Sequence, residues 1–406
     1  MSTYLIVGGL YVDHIHTVES YPEEDTAIRA LATRRSRGGN AATSAVVLSQ
    51  LLGGARGDVV RLMCAAPVSD PDTAFALASL AHEAGVDASL REEFDGVGQP
   101  AAFITVSRST GSRTIISSRN GLPELTSAHF VRALPALLAD REKPLAWVHF
   151  EAREPESVAA MASALRTRAA AASRTVKVSV EVEKPYLTEQ ALLPLLKRAD
   201  VVFLSREWCE RQLAGKAVAA EEAQETAHRC LKAIAKRCSG PSTFVAAWGS
   251  EGAFALDART HAAIAVPVSE EDAPVIDTLG AGDTFNGACI YAFALGATAE
   301  AALRTGAAVA GRKVRQEGFD NLAAALPVGG RGAEGLLHQG ERDSPAFDAI
   351  FLSLVGGGTC GRRVGSGSHP GCSRAAGWAN NFVRILAAQF WLKLAPPRRC
   401  RASRRA

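Results

Sequence analysis

Asp277-Thr278-Leu279-Gly280-Ala281-Gly282-Asp283-Thr284-Phe285-Asn286-Gly287 is a glycine-containing stretch between two apolar segments. Residues 274–276, just before it, combine Pro, Val and Ile and predict a short strand. Residues 288–295, just after it, are apolar on all sides and predict a buried helix. The order strand, glycine turn, helix favours an α/β fold.

The turn carries a candidate site for phosphate chemistry. Gly280 and Gly282 stand where the helix must begin, so its first backbone N–H groups have no side chains in front of them. Unpaired donors and the positive end of the helix dipole attract anions. Asp283, beside them, is suited to take a proton from an attacking hydroxyl. The short pattern alone also fits a plain glycine turn with Asp283 as a favourable first-turn residue.

Strands and helices alternate along the rest of the chain. Predicted strands cover residues 4–7, 58–65, 147–150, 176–182, 201–204 and 243–248, and predicted helices cover residues 72–84, 155–171, 188–197, 221–237 and 300–314. This alternation indicates a mainly parallel sheet with helices on its faces.

Two segments do not fit that alternation and predict a separate small sheet. Residues 10–32 are polar and alternating, as in exposed strands. Residues 101–106 and 114–117 flank a Ser-Thr-Gly-Ser-Arg turn and predict a hairpin. We expect a projecting sheet from about residues 10–35 and 98–120, placed as a lid that keeps water out of a reaction.

Arg37-Gly38-Gly39-Asn40 introduces a second glycine-led helix at residues 41–48, which ends near Gly53. Small residues at a helix start permit close approach of a ligand or of another backbone. The alternative is a turn with an Asn cap.

Charge separates the C-terminal part from the rest. Residues 328–406 hold 12 Lys and Arg against 4 Asp and Glu, so residues 1–327 hold 33 against 38. The larger part is mildly acidic, which argues against a nucleic-acid surface there. Residues 328–406 are rich in Gly, Arg and Ser, which predicts a flexible extension outside the core. We therefore predict a catalytic domain at 1–327 and a disordered extension at 328–406.

Other features exclude several classes of protein. The 8 cysteines include no C-x-x-C pair, which favours free thiols over a zinc site or a disulfide framework. No run of 18 apolar residues and no signal-like start is present, so we expect a cytoplasmic protein without a membrane span. The P-loop and the G-x-G-x-x-G fingerprint are both absent, which disfavours a P-loop NTPase or a Rossmann dehydrogenase.

The 277–287 stretch resembles the C-terminal signature of the ribokinase-like, or pfkB, carbohydrate kinases. Further resemblances run in order from about residue 5 to 322, and within the family they are most similar to kinases that act on a ketohexose. They include residues 21–25, 37–42, 112–115, 149–153, 178–185 and 316–320. The resemblance implies a ribokinase-like three-layer α/β/α fold with a β-sheet lid. It also implies transfer of the ATP γ-phosphate to the 1-hydroxyl of a sugar such as D-fructose.

Site roles follow from the same resemblance. Asp283 would be the catalytic base, and Gly280, Ala281 and Gly282 the anion hole. The implied sugar-binding residues are Asp13, Gly39, Asn40, Thr43 and Arg113, and the implied nucleotide-side residues are Trp248, Gly252 and Asn286. Thr43 stands where related kinases commonly have an Asn that contacts the sugar, which leaves the preferred sugar open.

The sequence indicates a metal and possible partners, but it does not define the metal ligands. Mg²⁺ with ATP is chemically expected, and Glu181 and Glu183 could contact it through water. A polar strand end is the alternative for these two residues, so the metal ligands stay undefined. The resemblance further implies a response to K⁺ and a homodimer formed through the lid. Two other functions stay open: a sugar kinase with another acceptor such as ribose, and a sugar-binding protein without catalysis. An intact Asp283 between the glycines favours an enzyme.

Overall fold

A computed structural model describes residues 1–53, 57–213, 223–241, 243–268 and 274–326 of the 406-residue chain. An eight-stranded sheet lies at its centre in the order β14-β13-β12-β11-β10-β9-β1-β4. The neighbours from β4 to β12 pair in parallel, and β13 and β14 add two antiparallel pairings at one edge. The predicted, mainly parallel sheet is therefore confirmed.

The elements have the following bounds. The strands are β1 Thr3–Val7, β2 Tyr11–Val18, β3 Ala32–Gly38, β4 Val59–Met63, β5 Ala65–Pro67, β6 Glu92–Phe94, β7 Ala101–Ser107, β8 Arg113–Ser118, β9 Leu145–Glu151, β10 Lys177–Val182, β11 Val201–Ser205, β12 Thr243–Ala247, β13 Ala253–Asp257 and β14 Ala263–Val266. The helices are α1 Asn40–Leu52, α2 Pro71–Ala84, α3 Ser127–Ala139, α4 Pro155–Ala171, α5 Glu189–Leu196, α6 Arg206–Gln212, α7 Ala223–Arg237, α8 Ala281–Ala294 and α9 Ala299–Val314.

The sheet separates two hydrophobic clusters, because successive side chains of a strand point to opposite faces. In β1, Leu5 and Val7 join one cluster with α3, α4, α5 and α7, whereas Tyr4 and Ile6 join the other with α1, α2, α8 and α9. All five β1 residues are buried, as expected of a strand covered on both faces. The result is the predicted three-layer α/β/α architecture.

A separate four-stranded sheet in the order β3-β2-β7-β8 forms the lid. It occupies the predicted segments and contains the predicted hairpin, β7–β8. Ile15, Ala102 and Ile104 form a small apolar cluster on its inner face, against which Leu279 packs. The lid thus reaches the glycine turn that precedes α8.

One local expectation was wrong, and one helix was not anticipated. Residues 274–276 form no strand: Val275 and Ile276 are 65% and 57% exposed, and the Ile276 amide donates to the carbonyl of Val314 at 2.7 Å. Helix α3 was not predicted, because Pro135 interrupts its apolar pattern although Thr126 caps its start. The predicted extension, 328–406, lies outside the described residues, so the domain boundary remains a prediction.

The structure also bears on the expected membrane and thiol properties. Within the described ranges, no helix is both long and apolar enough to cross a bilayer. Five cysteines in those ranges, Cys64, Cys209, Cys230, Cys238 and Cys289, are buried free thiols, as expected.

Candidate active site

A cavity of about 430 Å³ lies between the lid sheet and the glycine-led starts of α1 and α8. Its wall contains six of the residues singled out in the sequence, namely Asp13, Gly39, Asn40, Thr43, Gly280 and Asp283. Ile104 and Ile115 of the lid line the same space. Residues separated by more than 200 positions in the chain therefore share one cavity.

Helix α8 begins beside this cavity. Gly280 precedes it with φ 72°, a left-handed conformation that glycine adopts without strain. The carbonyl of Gly280 accepts from the amide and the hydroxyl of Thr284, at 2.9 and 2.8 Å, which fixes the first turn. Within the described part of the chain, the amides of Gly282 and Asp283 make no hydrogen bond, whereas the Ala281 amide donates to Thr278 at 3.2 Å. Gly282 and Asp283 thus have unpaired amides at the helix start, and the anion hole predicted at Gly280, Ala281 and Gly282 remains a prediction.

Asp283 is half-buried in the cavity wall with an unusually basic carboxylate. Burial is the main cause that raises its pKa to about 8, and the negative charges of Glu183 and Glu151 add to it. Arg37 and Lys184 act in the opposite direction. The high pKa makes Asp283 a suitable proton acceptor near neutral pH.

Asp13 lies on the lid side of the cavity and is 7% exposed. Burial raises its pKa to about 6, against the effects of Arg37 and Arg34. The carboxylate rests against Gly38, where an added Cβ would lie 2.1 Å from Oδ1. Gly39 has φ 98°, and a Cβ there would lie 2.4 Å from the carbonyl oxygen of Gly9. Both glycines are therefore needed for Asp13 and the backbone to come this close.

An acidic group lies behind Asp283, where β9 and β10 end. Glu181 accepts from Nδ2 of Asn286 at 2.8 Å, and Glu151 accepts from the Gly9 amide at 2.9 Å. The other carboxylate oxygen of Glu181 is buried and has no hydrogen-bond partner among the described residues. Burial, Asp283 and Glu183 together raise the pKa of Glu181 well above its ordinary value. Asn286 therefore fixes the position of the Glu181 carboxylate.

Six predicted residues do not line the cavity: Ala281, Gly282 and Asn286 of α8, and Arg113, Trp248 and Gly252. Arg113, on the lid strand β8, donates to the hydroxyl of Thr278 in the loop before the anion site. Trp248 is 1% exposed, and it lies with Gly252 in the short turn between β12 and β13. Gly252 has φ 106°, and a Cβ there would approach the carbonyl oxygen of Val266 at 2.6 Å. Their sugar and nucleotide roles remain predictions.

Some site residues received no role from the sequence. Arg37, Arg153 and Lys184 line the cavity, and Glu151 acts on Asp283 through its charge. The signal for Glu151 was its position directly after a buried run that predicted a parallel strand, since such strand ends meet at one edge of the sheet.

Comparison with known proteins identifies the family and the fold of the chain. Residues 1–325 match the model of the pfkB family carbohydrate kinases. The chain is 34% identical to mouse (Mus musculus) ketohexokinase over 322 residues, which covers 78% of this chain and 98% of that protein.

Solved structures show the same fold at lower identity. Giardia lamblia ribokinase has a TM-score of 0.65 at 16% identity, over 83% of this chain and all (100%) of its own. Arabidopsis thaliana ribokinase, solved with ribose and ATP, has a TM-score of 0.61 at 20% identity, over 80% of this chain and 98% of its own. A ribokinase-like fold is therefore shown for the described chain.

Proposed function

The chain belongs to the pfkB family of carbohydrate kinases, and from this premise we propose that it transfers the γ-phosphate of ATP to the 1-hydroxyl of a ketohexose such as D-fructose. The observation that carries the proposal is the shared cavity of Asp13 and Asp283, with two unpaired amides at the start of α8. The similarity to mouse ketohexokinase favours a ketohexose as the acceptor.

In the proposed reaction, Asp283 takes the proton of the sugar hydroxyl while that oxygen forms a bond to the γ-phosphorus. The bond from the γ-phosphorus to the bridging oxygen breaks, and its electron pair leaves with ADP. The amides of Gly282 and Asp283 face the charge on the transferring phosphoryl group, with the helix dipole behind them. Asp13 accepts hydrogen bonds from the other sugar hydroxyls, and the side-chain amide of Asn40 donates hydrogen bonds to them.

The charges of the cavity wall favour a neutral sugar over a sugar phosphate. Each cation that lines the cavity already has a carboxylate partner: Arg37 pairs with Glu83, Arg119 with Glu124, Arg153 with Glu151, and Lys184 with Glu183. A phosphate already present on the sugar would have to compete with these carboxylates for the arginine and lysine side chains. The hydroxyl groups of a neutral sugar carry no charge and do not compete with the carboxylates for these cations.

The residues present fit Mg²⁺ held largely by phosphates and water. Burial and neighbouring carboxylates raise the pKa of Glu181 and Asp283, so a divalent cation beside them would stabilise their ionised forms. One buried oxygen of Glu181 has no hydrogen-bond partner among the described residues. Within the described ranges, no group of three or more His, Cys, Asp or Glu side chains could hold a metal alone. When bound, Mg²⁺ would neutralise charge on the phosphates. We propose that Glu181 and Glu183 would contact it through water.

A substrate comparison tests the proposal. The purified chain is given ATP and Mg²⁺ with D-fructose, D-ribose or fructose 6-phosphate, and ADP release is measured in a coupled assay. We expect the highest kcat/KM with fructose and a product phosphorylated at the 1-hydroxyl by NMR. The Asp283→Asn variant is the matched control for background ATP hydrolysis. Preference for ribose would overturn the ketohexose assignment, and binding of sugar without turnover would favour a sugar-binding protein.

A further inference from the structure

Phe319, in the loop after α9, is one of the residues that line the cavity, and its ring lies against the glycine turn that precedes α8. It is 8% exposed and lies near two cations, with Cζ of Arg37 5.3 Å and Nζ of Lys313 5.1 Å from its centre. Both cationic side chains are fully buried, at 0% exposure. A cation near an aromatic face is attracted most strongly when both are removed from water.

Neither cation depends on the ring for its charge partner. Arg37 pairs with Glu83 at 2.9 Å. Lys313 donates to the carboxylate and to the carbonyl oxygen of Asp277, both at 2.9 Å. Because the carboxylates of Glu83 and Asp277 hold the two cations in place, the cations in turn fix the position of the ring.

The backbone of Phe319 is also fixed. Its carbonyl accepts from Nε2 of Gln50 at 2.7 Å, and Oε1 of the same Gln50 accepts from the Leu322 amide at 3.1 Å. Gln50 belongs to α1, which begins at the cavity. The loop is thus attached to a helix that forms the sugar side of the site.

The ring touches the turn at Gly280. A Cβ added there would lie 2.7 Å from Cζ of Phe319 and 3.3 Å from Cγ2 of Thr43. Thr43 in turn accepts from Nη1 of Arg37 at 3.2 Å. Gly280 therefore rests on a surface made by Phe319 and Thr43.

Resting on the proposed function, we infer that Phe319 is a positioning residue for phosphate transfer. Its ring, held near Arg37 and Lys313, supports Gly280 and thereby sets the direction of the Gly282 and Asp283 amides and of the Asp283 carboxylate. Lys313 fixes the other end of the same turn through Asp277. An error of about 1 Å in such a site can cost roughly 100-fold in rate.

The test compares two Phe→Leu changes that remove a buried ring. Phe319→Leu removes the support of Gly280, whereas Phe130→Leu acts in the opposite hydrophobic cluster, where Phe130 packs with Phe150. Steady-state kinetics with fructose and thermal unfolding are measured for both. For Phe319→Leu we expect kcat to fall roughly 10-fold to 100-fold while the sugar KM changes less than about threefold. For Phe130→Leu we expect a lower Tm with kcat unchanged.

Phe319→Met, which keeps most of the volume, is the second variant if Phe319→Leu does not fold. A folded Phe319 variant with the wild-type kcat would overturn the inference. The inference would also be overturned if Phe130→Leu lost as much kcat as Phe319→Leu while the Tm of both variants fell by the same amount. A wild-type chain that phosphorylates no sugar would instead overturn the proposed function, so the two failures are distinguishable.

Discussion

At the scale of single residues, the two aspartates of the cavity wall differ in how readily they ionise. The pKa of Asp13 is raised to about 6 and that of Asp283 to about 8, in both cases chiefly by burial. Two cations, Arg37 and Arg34, act on Asp13, whereas Glu183 and Glu151 add negative charge beside Asp283. At neutral pH Asp13 is therefore an ionised hydrogen-bond acceptor, while Asp283 readily takes a proton. This separation is consistent with the proposed roles, sugar binding for Asp13 and base chemistry for Asp283.

The pH dependence of turnover follows from the Asp283 pKa. A carboxyl with its pKa raised to about 8 is protonated below that pH and cannot act as a base. At pH 7 only about a tenth of it is ionised in the free enzyme. We expect kcat/KM for fructose to rise with pH and to reach half its maximum near about pH 8. Initial rates from pH 6 to 9.5 measure this.

The matched variant is Asp283→Asn, which keeps the size of the side chain and removes the base. Turnover should fall roughly 10²-fold to 10⁴-fold while sugar binding measured by calorimetry persists. A pH profile of the wild type that stays flat between 6 and 9 would contradict this role for Asp283.

At the scale of elements, the site is made by two helix starts that pack against each other. Helices α1 and α8 each follow a glycine of positive φ, Gly39 at 98° and Gly280 at 72°. They approach closely because Gly287 has no side chain: a Cβ there would lie 2.9 Å from the carbonyl oxygen of Ser44. The hydroxyl of Ser44 donates to the carbonyl of Asp283 at 3.1 Å. The proposed sugar side, at α1, and the proposed phosphate side, at α8, are thus in direct contact.

The two glycines of the α8 turn should respond differently to alanine. At Gly280, φ 72° and a Cβ only 2.7 Å from Phe319 predict strain and a clash, which together cost about 2–4 kcal/mol of unfolding free energy. At Gly282 no atom lies within 4 Å of the added Cβ, so the fold should tolerate alanine within about 0.5 kcal/mol.

Activity separates the two variants further. In Gly282→Ala the methyl group would lie beside the unpaired amides, so we expect kcat to fall at least roughly tenfold although stability is retained. Urea unfolding and steady-state kinetics measure both quantities. A Gly282→Ala enzyme with full kcat would show that the phosphoryl group does not sit at these amides.

At the scale of the whole molecule, the features predicted from the sequence are those that depend on residues close together in the chain. The order of strands and helices and the glycine turn before Asp283 are local patterns. The sequence could not show that Glu151 accepts from Gly9, or that Phe319 supports Gly280, because such contacts join distant parts of the chain. The apolar 274–276 run was misassigned because an apolar run alone does not show burial, and there the chain stays exposed.

The lid has two faces, which the register of its strands separates. Ile104 pairs with Ile115 on the face that lines the cavity. Phe103 pairs with Ile116 on the opposite face, where they are 47% and 66% exposed, and His14 stacks on Phe103 with ring centres 5.2 Å apart. An exposed apolar face favours contact with another protein surface, because that contact removes it from water. We propose that a second copy of the chain covers it.

The proposed homodimer can be tested by light scattering coupled to size exclusion, at several protein concentrations. The wild type should have the mass of two chains, and Ile116→Lys should have the mass of one, because a buried ammonium without a partner would oppose association. Leu295→Lys, at a residue 41% exposed at the far end of α8, is the matched control and should remain a dimer. Since Ile115 and Ile116 are neighbours on β8, loss of the dimer should also loosen the cavity wall and raise the sugar KM. A monomeric wild type, or an Ile116→Lys variant that stays dimeric, would place any self-association on another surface.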